Sequence, residues 1–351
     1  MLRQSDIAHY LLSLGLVKPQ EVVEERLTIA DASRRNSVFL AEVRGGPTYV
    51  VKQAGPRTAP TLAHEAAVLH VLADVADVAG QVPVVMDADP EAGRLVLRTP
   101  GAARDWNEHQ RASRFPRSPS RGLGRLLAAV HRLPADSVEA LPPGADPMWG
   151  LSLPEPPYEL LLDLSTGAQD LVARLQASQP LCDRLAELGN VGADGALVHG
   201  DVRWDNCLAV AAPGARRRTR PLLVDWELAG HGVEAFDVGT VLAEYLRAWV
   251  ESIPIVDPLD PGRFVDQAGH PLWRIRPAVQ SFWSAYTLAS RRCPTLQRVI
   301  ELAAVRILQS AVEQAQTSAM PSAHHLALLR LADNLLREPG NAASRLLGLT
   351  E

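Results

Sequence analysis

The chain changes character near residue 99, and that change limits the architectures open to it. Before it, three apolar, β-branched runs at 26–30, 37–43 and 48–53 are separated by DASRRN and RGGP, so alternation bounded by turn residues predicts an antiparallel meander. Residues 60–79 are rich in helix formers with apolar positions on one face, and VPVVMDAD and GRLVLRT then read as two more strands. The order up to residue 98 is three strands, one helix, two strands. A short helix over 6–16, with Ile7, Leu11, Leu12 and Leu14 at helical spacing, precedes them, and Pro19 marks a stop or a new start. Beyond a connector at 99–103 the pattern turns helical: an amphipathic segment at 121–133, a Pro-rich passage at 142–157, helix over 158–189, and mainly helix from about 234, broken by a Pro/Asp/Gly stretch at 254–271. The fold expected is α+β and bilobal, with a small antiparallel-sheet lobe over 1–98 and a larger helical lobe over 104–351.

Bulk properties exclude several classes. A chain of 351 residues, 47% hydrophobic, has ample material for a core, and a net charge of −5 suggests neither a nucleic-acid-binding protein nor an acidic tail. Cys182, Cys207 and Cys293 are odd in number and far apart, outside metal-ligand or redox spacing. The N-terminal apolar stretch is too short for a signal peptide, and no run approaches the roughly 20 apolar residues that cross a bilayer. A cytoplasmic protein is expected.

Two polar turns stand out in the helical half. HGDVRWDN, from His199 to Asn206, lies between the short apolar runs ALV and CLAV, and LLVDWE places Asp225 beside another apolar run. Either alone reads as a polar turn between strands; both in order, each against a strand, outweigh that reading. In the first half, Lys52 falls within a strand, where a buried charge is costly unless paired. It is one of two lysines, with Lys18, in a chain whose basic charge is otherwise arginine. A phosphate would satisfy it, as would a solvent-facing edge. Asp237, in EAFDVG, is in position for a helix N-cap.

These residues resemble the catalytic loop and metal-binding strand of the aminoglycoside phosphotransferase and choline kinase family. The likeness runs from about residue 26 to 245 and is strongest at 199–227. It implies a protein-kinase-like fold, ATP and Mg2+ as cofactors, and transfer of the γ-phosphate to a hydroxyl. It assigns Asp201 as the group that accepts the hydroxyl proton, Arg203 to charge on the transferred phosphate, with a solvated surface arginine as the plain alternative, and Asn206 and Asp225 to the metal. Lys52 would hold the nucleotide phosphates and pair with Glu65. His199 and Asp237 would shape the catalytic loop, Asp237 by bracing its backbone. His131, in VHRLP, matches a helix end of the family and reads as a core histidine. Trp226 and Glu227 complete the family's DWE, with Glu227 facing the metal region or the substrate. Arg98 and Thr99 fall at the interlobe hinge, where main chain meets adenine. No GxGxxG occurs between the first two strands; the turn is ASRRN, so Ser33, Arg34, Arg35 and Asn36 would cover the phosphates.

For the acceptor, one asymmetry is informative. Arginines at 104, 111, 114, 117, 121, 125 and 132 outnumber Asp105 and Glu108, and Arg216, Arg217, Arg218 and Arg220 crowd a predicted hairpin. A polycationic acceptor prefers an acidic cleft, whereas such surfaces suit an acidic partner; solvated faces are the plain alternative. SRRN followed by VVKQ is also similar to kinase-like proteins of ribosomal peptide natural-product systems, of lanthipeptide and thioamitide type. That resemblance implies a Ser/Thr hydroxyl of a precursor peptide as acceptor and a partner lyase. Alternatives are a small-molecule hydroxyl, as on an aminoglycoside, sugar or amino alcohol, and a pseudokinase scaffold. Neither nucleic acid nor membrane is expected as a partner.

Overall fold

The computed structural model describes residues 2–33, 37–55, 58–101, 103–133, 146–189, 195–212, 215–255 and 261–350. Expectations that rest on Arg34, Arg35 and Asn36, and on the side chains of Arg104 and of 216–218, lie outside the described residues. Helices α1 (Gln4–Ser13) and α2 (Pro19–Val23) lead into β1 (Leu27–Asp31), β2 (Ser37–Val43) and β3 (Thr48–Gln53), followed by α3 (Ala59–Ala73), β4 (Val84–Asp89) and β5 (Arg94–Thr99). The five strands form one antiparallel sheet in the order β1-β2-β3-β5-β4. The predicted helix is shorter than the pattern suggested, ending at Ala73.

Period-two alternation decides what each face of this sheet meets. Tyr49, Val51 and Val96 point to the face covered by α1, where Ile7, Leu11, Phe39, Ala41 and Val43 complete a small core. The residues between them, Val50, Lys52, Leu95 and Leu97, share the opposite face, and Lys52 pairs in register with Leu95. The same alternation that buries Val51 therefore aims the Lys52 amine toward the second lobe.

That lobe begins with β6 (Arg104–Asp105), α4 (Trp106–Arg111) and α5 (Arg117–Val130). It continues through α6 (Tyr158–Leu162), α7 (Thr166–Gln176) and α8 (Gln179–Gly189) to β7 (Ala196–Val198), β8 (Cys207–Ala212), β9 (Ala215–Leu223) and β10 (Gly230–Gly232). Helices α9 (Glu234–Glu251), α10 (Leu272–Ala289), α11 (Leu296–Ala315), α12 (Ala323–Arg337) and α13 (Pro339–Ala342) follow. The β element is two pieces, β10-β7 and β6-β8-β9, and the loop between β7 and β8 carries HGDVRWDN. The strand expected to carry Asp225 stops at Leu223; the Val224 N–H still donates to the Asn206 carbonyl at 2.9 Å, one step further in the register that pairs Cys207 with Leu223, and the backbone leaves the extended region at Asp225. Asp225 thus lies just beyond the strand at φ 67, a left-handed conformation that Asp tolerates better than most residues.

Helices α5 and α10 pack closely, as do α9 and α11, around a core that includes Leu126, Leu127, Val241, Phe282, Tyr286 and Leu302. The first pair touches backbone to backbone at Gly124, where a Cβ would meet the Phe282 carbonyl oxygen at 2.4 Å. Gly124→Ala is expected to destabilise the protein by about 1–3 kcal/mol through overpacking, read as a lower urea midpoint at unchanged slope. No helix among the described residues is long and apolar enough to cross a membrane.

Candidate active site

The two lobes meet at the Lys52 amine. Nζ lies 2.8 and 2.7 Å from the two Glu65 carboxylate oxygens and 2.6 Å from Asp225 Oδ1. Burial alone would drive the ammonium toward neutrality, but these two carboxylates more than offset it and raise its pKa. Lys52 also holds the Asp225 carboxyl below the usual range, against burial, while burial pushes the fully enclosed Glu65 upward. Helix α3 is tied to the Asp225 segment twice more. The Trp226 N–H donates to Glu65 Oε1 at 3.3 Å, and His64 Nε2 lies 2.5 Å from the Ala229 carbonyl oxygen. The strand lysine is therefore no edge residue.

The loop after β7 is shaped by two buried side chains. Asp237 sits in the first turn of α9 but does not cap it, since Val233 occupies that position; its Oδ2 accepts from His199 N at 2.7 Å and its Oδ1 from Gly200 N at 2.9 Å. Gly200 is required there: φ is 79 and a Cβ would meet the Leu228 carbonyl at 2.8 Å. Burial pushes the Asp237 carboxyl up, yet the donors around it, His131 first, hold it below the usual range. His131 Nε2 lies 3.2 Å from Asp237 Oδ2, and its Nδ1 lies 2.9 Å from the Tyr286 hydroxyl. His199 accepts the Asp201 N–H on Nδ1 at 3.2 Å, which leaves Nε2 to donate to the Val224 carbonyl at 3.0 Å. Burial lowers its pKa, so the imidazole is a neutral spacer between the Asp201 loop and the Asp225 segment.

The two oxygens of Asp201 are unequal. Oδ2 accepts from Arg203 Nε at 3.0 Å, Arg203 Nη2 at 2.7 Å and Asn206 Nδ2 at 3.0 Å, whereas Oδ1 accepts from none of the described residues. Asn206 Nδ2 also donates to the Asp201 carbonyl at 2.9 Å, which turns its own Oδ1 away from that loop. Arg203 is thus no solvated surface arginine. Its Nη1 lies 3.8 Å from Glu313 on α11, and Glu313 in turn receives both terminal nitrogens of Arg306 at 3.0 and 3.1 Å.

Glu244, Glu313 and Arg306 were not singled out from the sequence. Glu244 accepts the Trp204 N–H at 3.0 Å and both Nε and Nη2 of Arg247, and so braces the Asp201 loop a second time. The available signal was spacing: Asp237 and Glu244 stand two turns apart on α9, one face of an otherwise apolar helix. Burial opposes the charge on Glu244 and Glu313, but the neighbouring arginines win and both carboxyls lie low.

Other expected site residues are placed differently. Ser33 spends its hydroxyl within the first turn, accepting the Val38 N–H at 3.0 Å. Thr99 buries its side chain and pairs in β5 with Thr48, with no β4 partner on its other edge. Arg98 is paired on both edges, with Tyr49 and Val84, and its side chain is exposed. Glu227 lies two residues beyond Asp225, its carboxyl raised by burial and by the charge of Asp225.

Solved structures share this architecture. The GDP and kanamycin complex of APH(2″)-IIia is 14% identical, with 96% of this chain and 98% of that chain covered and a TM-score of 0.53. Choline kinase from Cryptosporidium parvum Iowa II is 11% identical over 94% and 97%, with a TM-score of 0.53, and LicA in complex with AMP is 16% identical over 96% and 99%, with a TM-score of 0.52. At such identities the likeness concerns the fold: an antiparallel-sheet lobe and a helical lobe of kinase type. Among curated proteins the sequence has no significant match. The profile of the phosphotransferase enzyme family matches residues 27–269, well over half of the sequence and spanning Lys52, the Asp201 loop and Asp225, and the chain belongs to that family.

Proposed function

We propose that the protein transfers the γ-phosphoryl group of ATP to an alcohol, with Asp201 receiving the hydroxyl proton. The observation that carries this reading is the polarisation of Asp201: three donors saturate Oδ2 and orient the carboxylate, while Oδ1 remains to accept the hydroxyl. In the step, the bond from the γ-phosphorus to the β,γ-bridging oxygen breaks, a bond from the acceptor oxygen to that phosphorus forms, and the acceptor proton passes to Asp201. Lys52 neutralises phosphate charge and Glu65 keeps the amine in place. Arg203 stands two residues from the base and turns from Oδ2 to the transferred phosphate. Thr99 offers the free edge of its main chain to adenine.

The donor set suits Mg2+. Asn206 Oδ1 and Asp225 Oδ2 accept no hydrogen bond from described residues, and main chain at 206 and 224 is joined at 2.9 Å. Among the described residues no group of three or more His, Cys, Asp or Glu could hold a metal. Two hard oxygens fit an ion that takes its remaining ligands from phosphate and water. When bound, Mg2+ would offset charge on the phosphates.

The acceptor we favour is a Ser/Thr side chain of a precursor peptide, with a partner lyase acting on the product. Supporting it, Arg117, Arg121 and Arg125 rise on successive turns of the exposed face of α5, with Arg111 and Arg114 exposed just before, a surface suited to an acidic stretch of peptide. A second reading, a small cationic alcohol, is favoured by the acids near Asp201 itself: Asp205 on the same loop, Glu227 and Glu313. The test is incubation with ATP and Mg2+ and, separately, acidic-flanked Ser/Thr peptides, kanamycin and choline, followed by mass spectrometry. A gain of one phosphate on the peptide alone supports the first reading; labelling of kanamycin or choline alone overturns it. A protein that turns over no ATP overturns the phosphotransfer reading.

A further inference from the structure

Helices α9 and α11 pack through a seam that is polar where the rest of the lobe is apolar, with Thr240, Glu244, Arg306, Gln309 and Ser310 all buried. The seam ends at the catalytic loop in a line of alternating charge. Arg306 grips both oxygens of Glu313, Glu313 Oε2 faces Arg203 Nη1 at 3.8 Å, and Arg203 grips Asp201 with its Nε and Nη2 edge. A guanidinium has more than one edge, and here each of the two engaged faces a different carboxylate. The two holds are unequal, 2.7 Å to Asp201 and 3.8 Å to Glu313, so a shift of about 1 Å brings the second to hydrogen-bond length at the expense of the first. Arg306 limits that shift, because it already occupies both Glu313 oxygens.

Resting on the phosphotransfer reading, we propose that Glu313 is a positioning residue: it competes with Asp201 for Arg203 and so sets how readily the guanidinium leaves the base to meet the γ-phosphate. Arg306 tunes the competition from behind. The chemistry asks for such a device, since an arginine fully committed to Asp201 serves the carboxylate's orientation and nothing else.

The test compares dissociation constants of Mg-ATP and Mg-ADP by calorimetry, because only ATP carries the phosphate that Arg203 would meet. Wild type is expected to prefer ATP. Glu313→Gln, which leaves Arg203 to Asp201, is expected to cut that preference by about threefold, the scale of one weakened charge-assisted hydrogen bond, with a slower kcat for ATP hydrolysis and little change in KM. In an Arg203→Met background Glu313→Gln is expected to add nothing. Arg306→Met, which releases Glu313 toward Arg203, is expected to raise the preference, an opposite sign that also serves if Glu313→Gln fails to fold. Folding of each variant is confirmed by thermal melting. An ATP preference indifferent to Glu313→Gln, an equal effect without Arg203, or a fall in Arg306→Met overturns the positioning role alone. Wild type that binds no ATP overturns the phosphotransfer reading and this role together.

Discussion

Asp201→Asn is expected to lower the rate of phosphoryl transfer by roughly 10²–10⁴-fold, the range of a lost general base, with ATP affinity changed less than about threefold. The geometry explains why the conservative amide fails. Arg203 and Asn206 present three donors to one side of the side chain, so the amide oxygen of the variant takes the Oδ2 position. Its NH2 group then faces the acceptor, where it donates and can take no proton. Orientation survives while chemistry is lost, so the deficit belongs in kcat. Single-turnover rates with labelled ATP measure it, and a loss below tenfold would remove Asp201 from the role of base.

The second large effect is on stability. Asp237→Ala is expected to cost about 3–5 kcal/mol, because it leaves buried donors without their charged acceptor. His199 N and Gly200 N lose bonds of 2.7 and 2.9 Å, and His131 loses its partner at 3.2 Å, all at a site with no access to water. Urea unfolding at pH 7 measures the cost. The same comparison carries a pH signature. The Asp237 carboxyl lies below its ordinary value of 3.8 in the folded protein, so its contribution is complete above that value and drains as pH falls through the folded one. The gap between wild type and Asp237→Ala should therefore be flat between about pH 7 and 5 and narrow below about pH 4. A gap that widens with acid would contradict the charged, hydrogen-bonded state described for Asp237.

Much of the architecture was open to reading in the chain. Alternation at 37–43 and 48–53 identified the strands and placed Lys52 within one of them, which the sheet register bears out. The pattern 26–98 gave strand order along the chain but not neighbours in the sheet: β5 lies between β3 and β4. The helix after 60 ends at Ala73 although the apolar pattern continues through Val75 and Val78, which are packed in turns. The apolar run LLV places Asp225 at a strand end, whereas the strand stops at Leu223 and Asp225 takes a left-handed φ of 67 that no local pattern announces.

The sequence by itself determined which residue types stand at Lys52, Asp201, Asn206 and Asp225, and which local element carries Lys52, Asp201 and Asn206. Those features depend on periodicity and on spacing within a few residues, and a linear reading captures both. Only the tertiary structure decided partnership: that Glu65 meets Lys52 beside Asp225, that Glu244 receives the Trp204 N–H forty residues away, and that Arg203 is shared between Asp201 and Glu313. The reason is that buried charges take partners by proximity after the helices pack. The seam between α9 and α11 is created by that packing, and nothing in the order of residues along either helix names the other.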